Sequence, residues 1–200
     1  MDDAARNEVE IQTVETLSEN WYPLRKYTVD YRRRDGSRQT LTREVYFNGP
    51  GSAVLLFDAA GETVMLARQF RTSAFVNGDR PRLIEVCAGN IEDGDDPAET
   101  ARKEAQQETG YHLHDLRKVM TLYMSPGASA EKLHLYIARY DHADRLSQGG
   151  GLREEGEEIE LLEMPIDRAW QMVQAGEIAD AKTVLLLQHV LLARAQGRTP

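Results

Sequence analysis

The chain has a single cysteine, Cys87, in 200 residues. No internal disulfide can form, and a reducing compartment fits. Positive charge is in the minority: 24 Lys and Arg stand against 33 Asp and Glu, a formal net charge of −9. A nucleic-acid binder needs a basic face to neutralise phosphates, so that class is disfavoured. A small phosphate-bearing substrate stays open, because a divalent cation can bridge carboxylates to phosphate. There is no long hydrophobic run. The longest, TVLLLQHVLLA at 183–193, is interrupted by Gln188 and His189 and is too short to span a bilayer. The N-terminus, MDDAARNEVEIQTVE, is acidic and has no signal-peptide core. Repeats and low-complexity tracts are missing as well. The expectation is a cytoplasmic protein with neither a membrane nor nucleic acid as partner.

Hydrophobic content of 41% and charged content of 28% suit a globular chain. The length suits one compact domain with a small appendage. Within residues 20–46, two β-prone runs flank Asp35-Gly36, a hairpin signal. SAVLLF at 52–57 and ETVMLARQFR at 62–71 flank a turn near Ala60-Gly61. RLIEVCAG (82–89), HLYIARY (134–140) and EIELLEMP (158–165) read as further strands. Helices are expected at 97–109, from Pro165 to about 175, and at roughly 180–195. GGG at 149–151 followed by REEGEE reads as a flexible acidic loop. Helices packed on a mostly antiparallel or mixed sheet make an α+β domain with α/β/α layering. Residues 1–50 form a separate N-terminal β-ribbon in this reading, and 51–200 the main domain.

Residues 89–111, GNIEDGDDPAETARKEAQQETGY, are the most informative stretch. Nine of these 23 side chains are charged and seven of the nine are acidic. Asp96 suits an N-cap, Pro97 the first helical position, Glu99 a capping box, and Gly110 the stop. Glu104 and Glu108 are four apart and project from one helix face. Like charges at that spacing repel by a few tenths of a kcal/mol. A hard divalent cation reverses that repulsion. The competing reading is a solvated acidic face, softened by Arg102 and Lys103.

In its spacing the segment resembles the Nudix box, Gx5Ex7REUxEExGU, where U is apolar. Gly89, Glu104, Ala105, Glu108, Gly110 and Tyr111 match. Asp95, Lys103 and Gln107 depart from Glu, Arg and Glu. The likeness extends along the chain through SENWYPLRKYTVDYRRRDG, LTREVYFNGPGSAVLLF, LARQFRTSAFVNG, LYMSPGASAEKLHLYIARY and GEIADAKTVLLL. These stretches are similar to the nucleoside-diphosphate-sugar branch of the family, the bacterial GDP-mannose hydrolases above all.

That resemblance implies a Nudix fold and a homodimer whose N-terminal segment, 1–50, serves dimerisation and substrate contacts. It implies hydrolysis of the pyrophosphate of a nucleotide sugar with Mg2+, or Mn2+ in its place. The ligands it implies are the Ala88 carbonyl, Glu104, Glu108 and a loop glutamate among Glu154, Glu155, Glu157 and Glu158. Aligning on the IELLEMP strand favours Glu157 as ligand or general base. Arg71 would hold a phosphate, with a structural ion pair to Glu85 as the alternative. Trp21 would stack on a base, or else pack in the hairpin core. Arg43, Glu44, Glu131 and Lys182 match substrate-contacting positions. For Lys182 the alternative is an exposed lysine at a helix start. His112, His114, His134, His142 and His189 show no metal-ligand spacing and read as structural or surface residues. Two other functions stay open: an ADP-ribose pyrophosphatase of the same fold, and a catalytically weak sugar-nucleotide sensor suggested by Gln107.

Overall fold

The structure is a computed structural model that describes residues 8–58 and 62–198, the Glu155 side chain excepted. The turn expected near Ala60-Gly61 lies outside the described residues. The chain divides into two compact units: residues up to Gly49 together with Tyr123–Lys132, and Pro50–Leu122 with Leu133 onwards. Each is described separately.

The first unit is an antiparallel sheet of β1 (Val9–Glu19), β2 (Pro23–Arg32) and β3 (Arg38–Tyr46), in that order. The hairpin between β2 and β3 turns at Asp35-Gly36. There the Asp35 carboxylate accepts from the Ser37 amide at 2.9 Å and its hydroxyl at 2.6 Å. β1 is a strand that period-2 reading does not reveal. Its register shifts between Ile11 and Thr13 and again between Thr16 and Ser18. Each bulge moves the alternation out of phase. Val9, Ile11, Val14 and Leu17 on β1 remain exposed. The sequence boundary at 50 misses one segment of this unit. Residues 123–132 are tied to the end of β3, where Tyr46 N–H donates to Ala128 O (2.8 Å) and Ala130 N–H to Tyr46 O (3.0 Å).

The second unit holds a mixed seven-stranded sheet. Its strands are β4 (Gly51–Asp58), β5 (Thr63–Phe70), β6 (Arg82–Glu85), β7 (Cys87–Asn90), β8 (His114–Tyr123), β9 (Lys132–Arg139) and β10 (Glu160–Pro165). The main order is β10-β5-β4-β9-β8, with β6 on β5 and β7 on β4. β4 and β9 are parallel, whereas β4–β5, β5–β10, β5–β6 and β4–β7 are antiparallel. The helices are α1 (Thr72–Val76), α2 (Pro97–Thr109), α3 (Ile166–Gln174) and α4 (Ala181–Ala195). Among the described residues no helix is long and apolar enough to cross a membrane.

β4 is buried on both faces, as a central strand should be. Val54 and Leu56 join a core with Cys87, Ala101, Ala105 and Tyr111, which seats α2 on that face. Alternation sends Ala53 and Leu55 to the other face, where α4 meets β4 and α3 meets β5. The expected α/β/α layering is therefore present, within an α+β chain. α1, a single turn, and β8, a mostly exposed strand, carry no periodic signal in the sequence.

Candidate active site

The stretch read as one strand at 82–89 is two. It leaves β5 after Glu85 and joins β4 at Cys87. At the crossing, the buried Val86 N–H donates to Thr183 Oγ1 at 2.8 Å. This step places Glu85 on one side and Ala88-Gly89 on the other, facing α2.

α2 is fixed at both ends. Asp96 accepts from the Ala98 and Glu99 amides at 2.8 and 3.2 Å, and Pro97 opens the helix. Such a cap contributes about 1 kcal/mol. Glu99, in the first turn, pairs with Arg102 at 3.4 Å. Gly110 ends the helix with φ of 79°. Glu104 projects toward β7. A Cβ on Gly89 would overlap the Glu104 carboxyl group, so the absent side chain is what houses that carboxylate.

Glu108 is 1% exposed, and among the described residues neither of its carboxylate oxygens has a hydrogen-bond partner of normal geometry. Burial pushes its pKa up to about 8. The Cys87 thiol nearby pulls the other way, the carboxylates of Glu157 and Glu104 raise it further, and the Ala88 backbone lowers it weakly. The same surroundings drive the buried Cys87 thiol well above its ordinary range. A buried, unpartnered carboxylate is unstable as an anion without a cation.

The loop glutamates separate clearly. Glu157 accepts from the Leu152 N–H at 2.8 Å and lies within electrostatic reach of Glu108. Glu158 instead pairs with Arg82 at 2.6 Å. Glu154 is exposed on the 3-10 turn at 153–155, and the Glu155 side chain lies outside the described part. Among the described residues no three or more His, Cys, Asp or Glu side chains are already grouped closely enough to hold a metal ion. The donor set nevertheless fits a hard divalent cation: the orphaned oxygens of Glu108, the Glu104 carboxylate in its glycine cradle, and Glu157 anchored nearby.

Beside these acids lies a buried ion network. Arg71 donates to both oxygens of Glu85, at 2.7 and 3.0 Å. Lys182 donates to Glu85 at 2.5 Å and to Asp180 at 2.9 Å. Asp180 also caps α4 through the Thr183 amide at 3.0 Å. Burial alone would raise the Glu85 pKa, but Lys182 and then Arg71 outweigh it and hold the group down to about 2. Burial likewise works against Arg71, and the bonds to Glu85 more than offset it, so its pKa is raised. Glu108 adds to that rise, which places Arg71 within reach of the acidic cluster. Lys182 is buried at the start of α4, not exposed. Asp180 carries a sequence signal, the N-cap in DAKTV, that reading for charge alone passes over.

The remaining positions fall in the first unit. Trp21, in the turn between β1 and β2, is 83% exposed and makes an edge-type ring contact with Tyr22. It is not a hairpin core residue. Arg43 and Glu44 are adjacent on β3, opposite Tyr27 and Lys26. The Glu131 amide donates to Ser129 Oγ at 3.1 Å. Four of the histidines have local partners. His114 pairs with Asp144 at 2.8 Å, and His112 stacks edge-on against it. His142 pairs with Glu163 at 2.9 Å, and His134 lies 3.3 Å from Thr121 Oγ1. Lys103 and Gln107, two departures from the box pattern, line a groove of about 710 Å3 between α2 and the loop at Ser147–Leu152.

The sequence comparisons agree with this geometry. A NUDIX domain profile matches residues 48–188, and a profile described as the GDP-mannose pyrophosphatase NudK N-terminal domain matches residues 8–46. A GDP-mannose pyrophosphatase of Cronobacter sakazakii is 50% identical over 185 residues, covering 92% of this chain and 95% of its own. One from Klebsiella pneumoniae is 48% identical over 175 residues, covering 87% of each chain. A solved structure described as an ADP compounds hydrolase superposes with a TM-score of 0.70, over 96% of this chain and 97% of its own, at 20% identity. At that identity the likeness concerns the fold alone. With the box on α2, its glycine cradle and matches along nearly the whole chain, the protein belongs to the Nudix family of hydrolases.

Proposed function

We propose that the protein hydrolyses the pyrophosphate bond of a nucleoside diphosphate sugar, GDP-mannose, to GMP and mannose 1-phosphate. Its relatives at 48–50% identity bear the name GDP-mannose pyrophosphatase, and the match includes the N-terminal sheet as well as the Nudix part. The observation that carries the hydrolytic reading is the buried, unpartnered carboxylate of Glu108 beside Glu104 and Glu157.

Mg2+ is the proposed ion, held by Glu104, Glu108, Glu157 and the Ala88 carbonyl. When bound it supplies charge neutralisation of the pyrophosphate and a more acidic water. Glu157 then accepts the proton of the attacking water, from a carboxylate already oriented by the Leu152 N–H. Arg71, preset by its two bonds to Glu85, keeps donors for a phosphate oxygen. Lys182 and the first-unit residues Trp21, Arg43, Glu44 and Glu131 recognise the nucleotide and sugar. The exposed apolar residues of β1 form a homodimer contact in this reading. The proposed setting is the cytoplasm.

The test is turnover of GDP-mannose by wild type and Glu104→Gln in Mg2+. Release of GMP by wild type, and loss of at least a hundredfold in the variant, supports the reading. Wild-type turnover in Glu104→Gln overturns the metal assignment.

A further inference from the structure

The loop at 145–159, which carries the GGG and the acidic run, is tied to α2 and to itself by hydrogen bonds. It caps the end of α2: Leu146 N–H donates to Gly110 O at 2.7 Å, Gly150 N–H to Glu108 O at 2.8 Å, and Gly151 N–H to Gln107 O at 3.3 Å. It then closes on itself. Ile159 N–H donates to Gly150 O and Glu157 N–H to Leu152 O, each at 3.2 Å. The Leu152 N–H returns to Glu157 Oε2 at 2.8 Å. The Glu157 carboxylate therefore folds back over the Gly151–Leu152 peptide. A Cβ at residue 151 would stand 2.5 Å from Glu157 Oε2, 2.8 Å from Glu157 Cβ and 3.0 Å from Ile159 Cδ1. Because Glu157 Cβ is itself in the way, turning the carboxylate does not relieve the clash; the whole residue must move.

We propose that Gly151 is a positioning residue for the active site: its missing side chain is the space in which Glu157 is held beside Glu108. This rests on Glu157 being the loop glutamate of the site, and adds what fixes it there. Gly156 provides an internal control. Its φ of +78° matches the +80° of Gly151, yet among the described residues other than its two chain neighbours a Cβ there meets nothing within 4 Å. Alanine at either position bears the same backbone strain, and the one at 151 in addition runs into Glu157 from across the loop.

The experiment compares full-length Gly151→Ala, Gly156→Ala, Glu157→Gln and the Gly151→Ala/Glu157→Gln double variant. It follows GDP-mannose turnover against Mg2+ concentration, and Mn2+ binding by calorimetry. Gly151→Ala should lose at least tenfold in kcat, need more Mg2+, bind Mn2+ about tenfold more weakly, and keep KM within threefold. Gly156→Ala should stay within threefold of wild type in all of these. The double variant should be no slower than Glu157→Gln, since Gly151 acts through that carboxylate. If Gly151→Ala fails to fold, Leu152→Pro removes the N–H that holds the carboxylate and should show the same losses. Equal effects of the two alanines, or a double variant that multiplies the single losses, overturn the proposal and leave the role of Glu157 standing. Wild-type turnover and Mn2+ binding in Glu157→Gln overturn both.

Discussion

The carboxyl group of Glu104 occupies the space that a side chain on Gly89 would need. Strand β7 and helix α2 thus meet through a carboxylate at Gly89 as well as through the apolar contacts of Cys87 with Ala101 and Ala105. Gly89→Ala should expel Glu104 from that space and lower kcat by at least tenfold, since a misplaced catalytic group is expensive. The melting temperature should change little, because the expelled carboxylate can turn to water. Turnover and thermal unfolding measured on the same preparation check both expectations.

Glu108 ties stability to metal. Its folded pKa of about 8 lies above the ordinary value of 4.5. The metal-free folded chain therefore binds a proton more tightly than the unfolded chain, and stability falls as pH rises from about 4.5 through 8. Glu108→Gln should remove that slope and raise the melting temperature of the metal-free protein at pH 8 while abolishing turnover. Adding Mg2+ should stabilise the wild type and not the variant. A calorimetric melting series against pH, with chelator and with Mg2+, reads each of these.

Glu85 has the opposite sign. Its folded pKa of about 2 lies below 4.5. Its contribution is complete above pH 4.5 and is lost as pH falls toward 2. Arg71→Ala removes one of the two cations that hold it there. The acid-unfolding midpoint should move to higher pH, and kcat/KM should drop about tenfold to a hundredfold, as for a lost bond to a charged group. An acid titration followed by circular dichroism, beside steady-state kinetics, separates the two effects.

The exposed row Val9, Ile11, Val14 and Leu17 on β1 predicts an interface. Ile11→Glu with Val14→Glu should convert a dimer to a monomer in light scattering, and should lower turnover if the partner helps to complete the substrate site. A wild-type chain that runs as a monomer at micromolar concentration contradicts the expectation.

Much of this was legible in the residues, for reasons that differ by element. α2 was readable from end to end because Asp96, Pro97 and Gly110 mark it chemically. β1 was hidden because two bulges break the alternation that would have announced it. The run 82–89 was visible as strand but not as two, since Val86 is as apolar as its neighbours and only the partner strands change. The burial of Lys182 was not legible, because its partner Glu85 is 97 residues away. The GGG segment looked loose because glycine permits both freedom and close approach. The bonds to Glu108 and Gln107 show close approach in this case.

The most direct measurement is release of nucleoside monophosphate in Mg2+ from a panel of GDP-mannose, GDP-glucose, ADP-ribose and nucleoside triphosphates. GMP formed from GDP-mannose with the highest kcat/KM, and lost on chelation, is the predicted result. A preference for ADP-ribose would contradict the substrate assignment. Tight binding of GDP-mannose with no product from any compound would contradict the hydrolytic role and favour a sensor.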